Sequence, residues 1–104
     1  MSERQRLLNR RASESFAFQC GRMNYVATIS RFDDGRVAEI FLTNHKVGSD
    51  ADAAARDSAV VCSLALQHGT PVETIRKALL RDAQGCPPSP LGTALDIIAA
   101  ESGA

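Results

Sequence analysis

A chain of 104 residues with 44% hydrophobic and 23% charged side chains holds one domain, and folding at that length buries roughly 60–70% of the unfolded surface. Twelve Lys and Arg balance twelve Asp and Glu, so no net field draws nucleic acid or an anionic membrane to the whole molecule. No apolar run could span a bilayer, no apolar h-region follows the basic N-terminus, and three widely spaced cysteines lack the pairing of a zinc site or disulfide framework. A reducing cytoplasm is the compartment this cysteine usage suits.

Residues 1–13 set Arg4, Arg6, Arg10 and Arg11 against Glu3 and read as a flexible basic arm, with residues 14–104 as a single domain. From Glu14 the pattern is extended. Phe16 and Phe18 alternate with Ala17 and Gln19, Gly21-Arg22 can turn the chain, and residues 24–32 and 36–43 are rich in β-branched and aromatic types. Asp34-Gly35 predicts a two-residue type I′ hairpin that sets Asp33 opposite Arg36, Ile29 opposite Ile40 and Ala27 opposite Leu42. The other sheet face then carries Val26, Phe32, Val37 and Phe41. So apolar a face predicts a cover, and a homodimer partner is the expected one.

Gly48-Ser49-Asp50 ends the sheet and opens a helix from about Ala51 to His68, with Asp50 and Asp52 at its positive end. Alanines with Val60, Val61, Cys62, Leu64 and Leu66 leave a narrow polar stripe through Asp52, Arg56, Ser63 and Gln67, which predicts a central helix packed on several sides. Gly69 suits the left-handed position after a helix. Thr70-Pro71-Val72-Glu73 then predicts a capping box, with Thr70 at the N-cap and Pro71 at N1. Val72, Ile75, Ala78 and Leu79 form the expected buried stripe, with Arg76, Lys77 and Arg81 facing water. Gly85-Cys86-Pro87-Pro88 stops this helix, and Ser89-Pro90 opens a last one that buries Leu91, Ala94, Leu95 and Ile98. The fold class is α+β, an antiparallel β-meander of about three strands followed by three helices.

Little in the chain points to chemistry. Asp33-Asp34 is turn material, Asp50 and Asp52 suit a helix start, Cys62 is a small buried hydrophobe, and His68 suits a helix end. His45 lies on a loop, and Gly48-Ser49 lacks the rest of a phosphate loop. Cys86, on a proline-locked loop, is the thiol most open to reaction. No catalytic residue, metal-ligand set or cofactor is expected. Residues 55–82 could also form a helix-turn-helix with the arginine arm on phosphates. The long apolar first helix, Glu73 in the leading turn of the second and the neutral net charge all weigh against nucleic acid.

"RVAEIFLTNHKVGSD" (Arg36–Asp50), then "SLALQHGTPVETIRKAL" (Ser63–Leu79) and a Gly-Cys-Pro, together resemble the TSCPD domain. That domain is found at the C-terminal region of adenosylcobalamin-dependent (class II) ribonucleotide reductases and in short free-standing proteins. The similarity covers residues from about 15 to 96; of the naming motif only Cys86-Pro87 aligns, with Gly85 and Pro88 replacing its neighbours. The resemblance implies candidate functional positions at Cys86, Pro87, Glu39, Gly48 and Ser49. It also implies an accessory role in nucleotide reduction and DNA precursor synthesis, exerted by binding a reductase, another protein or a small ligand. Radical chemistry resides in the reductases' much larger catalytic barrel, so this chain is not expected to be an enzyme by itself.

Overall fold

The computed structural model describes Arg4 and residues 13–101. Strands β1 (Ser13–Cys20), β2 (Met23–Arg31) and β3 (Val37–Asn44) form one antiparallel sheet in the order β1-β2-β3. Helices α1 (Asp50–Gln67), α2 (Val72–Ala78) and α3 (Pro90–Glu101) follow, giving the expected α+β order. Apart from Arg4 and Ser13, the arm read over residues 1–13 lies outside the described residues; Arg4 Nε donates to the Gln67 side chain. Among the described residues no helix is long and apolar enough to cross a membrane.

Ile29 pairs with Ile40 and Ala27 with Leu42, as the hydrophobic pattern requires. The turn between those strands departs from expectation. A type I′ turn needs positive φ at both central residues, and among the described residues only glycines have it. Instead Phe32 N–H donates to Arg36 O at 2.8 Å and Gly35 N–H to Phe32 O at 2.9 Å, closing a three-residue loop with Gly35 at φ +92°. A β-bulge absorbs the extra residue: Ser30 still faces Glu39, but Arg31 faces Val37. The bulge swings Val37 into the core, and Phe32 is buried beneath the Arg36 guanidinium. Of the four apolar residues expected on the outer face, Val26 and Phe41 remain exposed there.

Helix α1 is not packed on several sides as expected, and its polar stripe lies on the face it buries. Asp52, Ser63 and Gln67 are buried against β3, whereas Val60, Val61 and Leu64 face outward, Val61 with 67% of its surface exposed. The cause is the edge of the sheet. Backbone groups of β3 that point away from β2 need partners, and an apolar helix face has none to offer. Ser63 Oγ accepts from Ile40 N–H and donates to Ile40 O, both at 2.9 Å. Gln67 Nε2 donates to Ala38 O at 3.1 Å, and Asp52 Oδ1 accepts from Asn44 N–H at 2.9 Å. Four helical residues rise about 6 Å and two strand residues about 6.7 Å, so Gln67 and Ser63, four apart on α1, meet Ala38 and Ile40, two apart on β3. Small Ala55 and Ala59 let the helix lie close. Cys62 and Leu66 complete the core with Ile29, Ile40 and Leu42 of the sheet and Leu91, Ala94, Leu95 and Ile98 of α3.

The joint after α1 also differs from the capping box. Gly69 N–H donates to Leu66 O and Thr70 N–H to Ala65 O, with Gly69 at φ +99°, so Thr70 closes the C-terminus of α1 in a Schellman motif. The N-cap of α2 is Pro71, and no side chain caps it. Val72, Ile75 and Leu79 pack partly against the core, while Ala78 is exposed. The start of α3 is as expected, with Ser89 Oγ accepting from Gly92 N–H at 3.1 Å.

Candidate functional site at the cysteine-proline loop

Between α2 and α3 the chain folds a tight loop on one carboxylate. Asp82 Oδ1 accepts from the N–H groups of Gln84 and Cys86, both at 2.9 Å, and Asp82 N–H donates to Cys86 O at 2.9 Å. Gly85 at φ +80° makes the reversal, and its carbonyl accepts from Arg81 Nη1 at 3.0 Å. Pro87 then lies against α3 so closely that a β-carbon on Gly92 would fall 2.7 Å from its own Cβ. Cys86 is thus held exposed on a braced loop.

The loop forms one wall of an open cleft of about 600 Å³, lined among others by Cys20, Asp82, Cys86, Pro87, Thr93 and Asp96. Cys20, at the end of β1, donates from its thiol to Pro88 O at 3.3 Å, and Thr93 Oγ1 lies 3.6 Å from its sulfur. Two thiols therefore share this cleft. Sequence reading singled out only Cys86, and no local signal could have added Cys20, which the topology brings in from the first hairpin.

At the floor of the cleft Asp96 receives Arg81 through both Nη atoms at 2.7 and 2.9 Å, and Arg76 Nε at 2.8 Å. Arg81, chiefly, holds the Asp96 carboxyl below the usual carboxylate range. A carboxylate so stabilised is a poor general base. The same pairing corrects the expectation that Arg76 and Arg81 face water, and it removes both from the cations a DNA-reading helix would offer.

The remaining candidates sit elsewhere. Gly48 and Ser49 begin α1: Ser49 Oγ accepts from Asp52 N–H at 3.1 Å, and Gly48 N–H donates to Asp52 Oδ2 at 3.0 Å. N–H groups of Asn44 and Gly48 are the main reason the Asp52 carboxyl is held below its ordinary value, with Arg56 assisting. Glu39 lies on the outer face of β3, half-buried. None of these three lines the cysteine-proline cleft. Cys62 is buried and its thiol is pushed up to about 11 by desolvation, which makes it unreactive. Among the described residues no three His, Cys, Asp or Glu side chains converge as a metal-ligand set. A second cavity of about 300 Å³ lies between the hairpin loop and the α1–α2 joint, walled by Val37, Leu66, Val72 and Ile98. The charged residues at its rim are engaged within the chain, Arg31 with Glu14, Arg36 with Asp34 and Glu73 with Arg76.

The family model of the TSCPD domain matches residues 4–100, a span that holds the meander and the Cys86-Pro87 loop. The chain belongs to the TSCPD domain family. Two curated relatives are similar to it, both called vitamin B12-dependent ribonucleotide reductase. The one from Agrobacterium fabrum is 37% identical over 71 residues, which is 68% of this chain and 6% of that protein. The one from Bradyrhizobium diazoefficiens is 32% identical over 73 residues, 70% of this chain and again 6% of the relative. This TSCPD chain therefore spans a small fraction of the relatives it matches. No solved structure matches it.

Proposed function

We propose that this TSCPD domain is an accessory module of a ribonucleotide-reductase setting, non-catalytic by itself, that acts in the cytoplasm on DNA precursor synthesis through protein contact. The observation that carries this reading is the outward apolar ridge of α1. Val60, Val61 and Leu64 stand exposed on the helix, and Phe41, 44% exposed, lies under the guanidinium of Arg56, one turn before Val60, 5.2 Å from its ring. Such a ridge on a helix that could have turned it inward marks a contact surface. Relatives that carry this domain as 6% of their length supply the partner class, a reductase of that kind.

The cofactor in the relatives' name belongs to those whole proteins. Here His45, after β3, and His68, after α1, are both exposed and neither lines the cysteine-proline cleft, so that cleft offers a corrinoid no imidazole and no step is assigned through one.

Co-sedimentation with a purified vitamin B12-dependent reductase tests the reading. The wild-type domain should bind, and Val61→Asp should lose binding while keeping its melting temperature, because Val61 is already solvated. A wild type that ignores the reductase, or a Val61→Asp that binds equally well, would sink it.

A further inference from the structure

The second edge of the sheet points to a partner of another kind. In an antiparallel sheet the N–H and C=O of one residue point to the same side, and the side alternates along the strand. Ile40 turns both toward Ser63, away from β2. Its partner Ile29 therefore turns both toward β1, where it faces Glu14. The alternation leaves Ser15, Ala17 and Gln19 with their backbone groups aimed off the sheet, and among the described residues these groups meet no partner.

We propose that β1 of one copy pairs antiparallel with β1 of a second copy, Ala17 opposite Ala17, to make a continuous six-stranded sheet across a two-fold axis. The register is self-complementary. Ser15 falls opposite Gln19 of the other copy, joined through the outward-pointing groups. Phe16 falls opposite Phe18 of the other copy at the positions where facing side chains approach most closely. Those two rings are half-buried on the core side, Phe18 stacked on Tyr25 at 5.6 Å and Phe16 next to it at 5.9 Å, so pairing would extend each core into the other. Shifting the axis to Phe16 would press the Glu14 carboxylate against Phe18, which disfavours that alternative. The strand SESFAFQC also holds neither proline nor lysine, the usual guards of an open edge. This interface is separate from the α1 ridge and stands or falls without the reductase.

Analytical ultracentrifugation of the full chain alone, over the micromolar range, should show a dimer. Ala17→Pro removes an outward N–H that β1–β2 pairing does not use, and should raise the dimer dissociation constant at least about thirtyfold through the loss of two ladder bonds at the axis. Because proline could disturb the strand itself, a charge swap provides a second reading. Ser15→Lys with Gln19→Lys, and Ser15→Glu with Gln19→Glu, should each be monomeric, yet form a heterodimer when mixed. Amide exchange at Ser15, Ala17 and Gln19 should slow as concentration rises. A monomeric wild type, a dimer indifferent to Ala17→Pro, or charge variants that fail to complement would overturn the proposal.

Discussion

Along β3 the outward backbone groups of Ala38, Ile40 and Asn44 meet Gln67, Ser63 and Asp52 of α1, whereas along β1 the outward groups of Ser15, Ala17 and Gln19 have no partner among the described residues. Both strands are edges of one small sheet, and both are eight residues long. The difference lies in what the chain does next. After β3 it runs straight into a helix that returns antiparallel along the same strand, with polar side chains at the spacing of the strand. Among the described residues no strand or helix returns along this edge of β1, which packs against β2 and in part against α3. A helix thus makes one edge part of the interior, and its absence leaves the other available.

The same substitution made on both edges gives the sharpest contrast. Ser63→Ala leaves Ile40 N–H and C=O buried without a partner, and should cost about 3 kcal/mol in urea unfolding at 1–3 kcal/mol for each group left unsatisfied. A loss below about 1 kcal/mol would mean that water or a shifted side chain replaces the hydroxyl, and that the edge is sealed by packing alone.

A smaller effect is confined to acid. The Asp52 carboxyl is held below the ordinary value of 3.8, mainly by the N–H groups of Asn44 and Gly48, so the unfolded chain binds this proton more readily than the folded one. Its stabilisation is complete above 3.8 and drains away as pH falls through the lower folded value. Denaturant midpoints taken from neutral pH downward should fall for the wild type and fall less steeply for Asp52→Asn, which has no such proton to gain. Parallel acid limbs would show that other groups, Asp96 among them, dominate.

Smallest of all should be Ser15→Ala on the open edge. Its hydroxyl meets Thr28 at an exposed position, and the change should stay within about 0.5 kcal/mol for the monomer. A cost approaching that of Ser63→Ala would erase the distinction between the edges.

The order of elements, the strand register and the buried face of α3 were legible because each rests on local periodicity and turn chemistry. Three things were not. The hairpin loop was misjudged because Asp33-Asp34-Gly35 serves a three-residue turn as well as a two-residue one, and a compensating bulge at Ala38 hides the difference from the strand pattern. Thr70 was not legible as the closing residue of α1 because its N–H, which a capping box would give to Glu73, goes to Ala65 O instead. The packing of α1 on one side was not legible because hydrophobicity counts Val60, Val61 and Leu64 as core, while an edge strand values Ser63 and Gln67 as donors and acceptors. In the candidate site Cys86 and Pro87 could be read from the loop. Cys20 and the Arg81–Asp96 floor depend on tertiary approach that no spacing announces.

The stripe of Asp52, Ser63 and Gln67 has a further effect on how large an assembly can grow. A sheet with two open edges can add copies at both ends without limit, and strand-on-strand addition of that kind yields filaments. With β3 covered by its own helix, each copy has one edge to offer, so growth that begins on β1 terminates at two. Weakening the covering helix would therefore do more than destabilise the fold: it would convert a closed pair into a link in a chain.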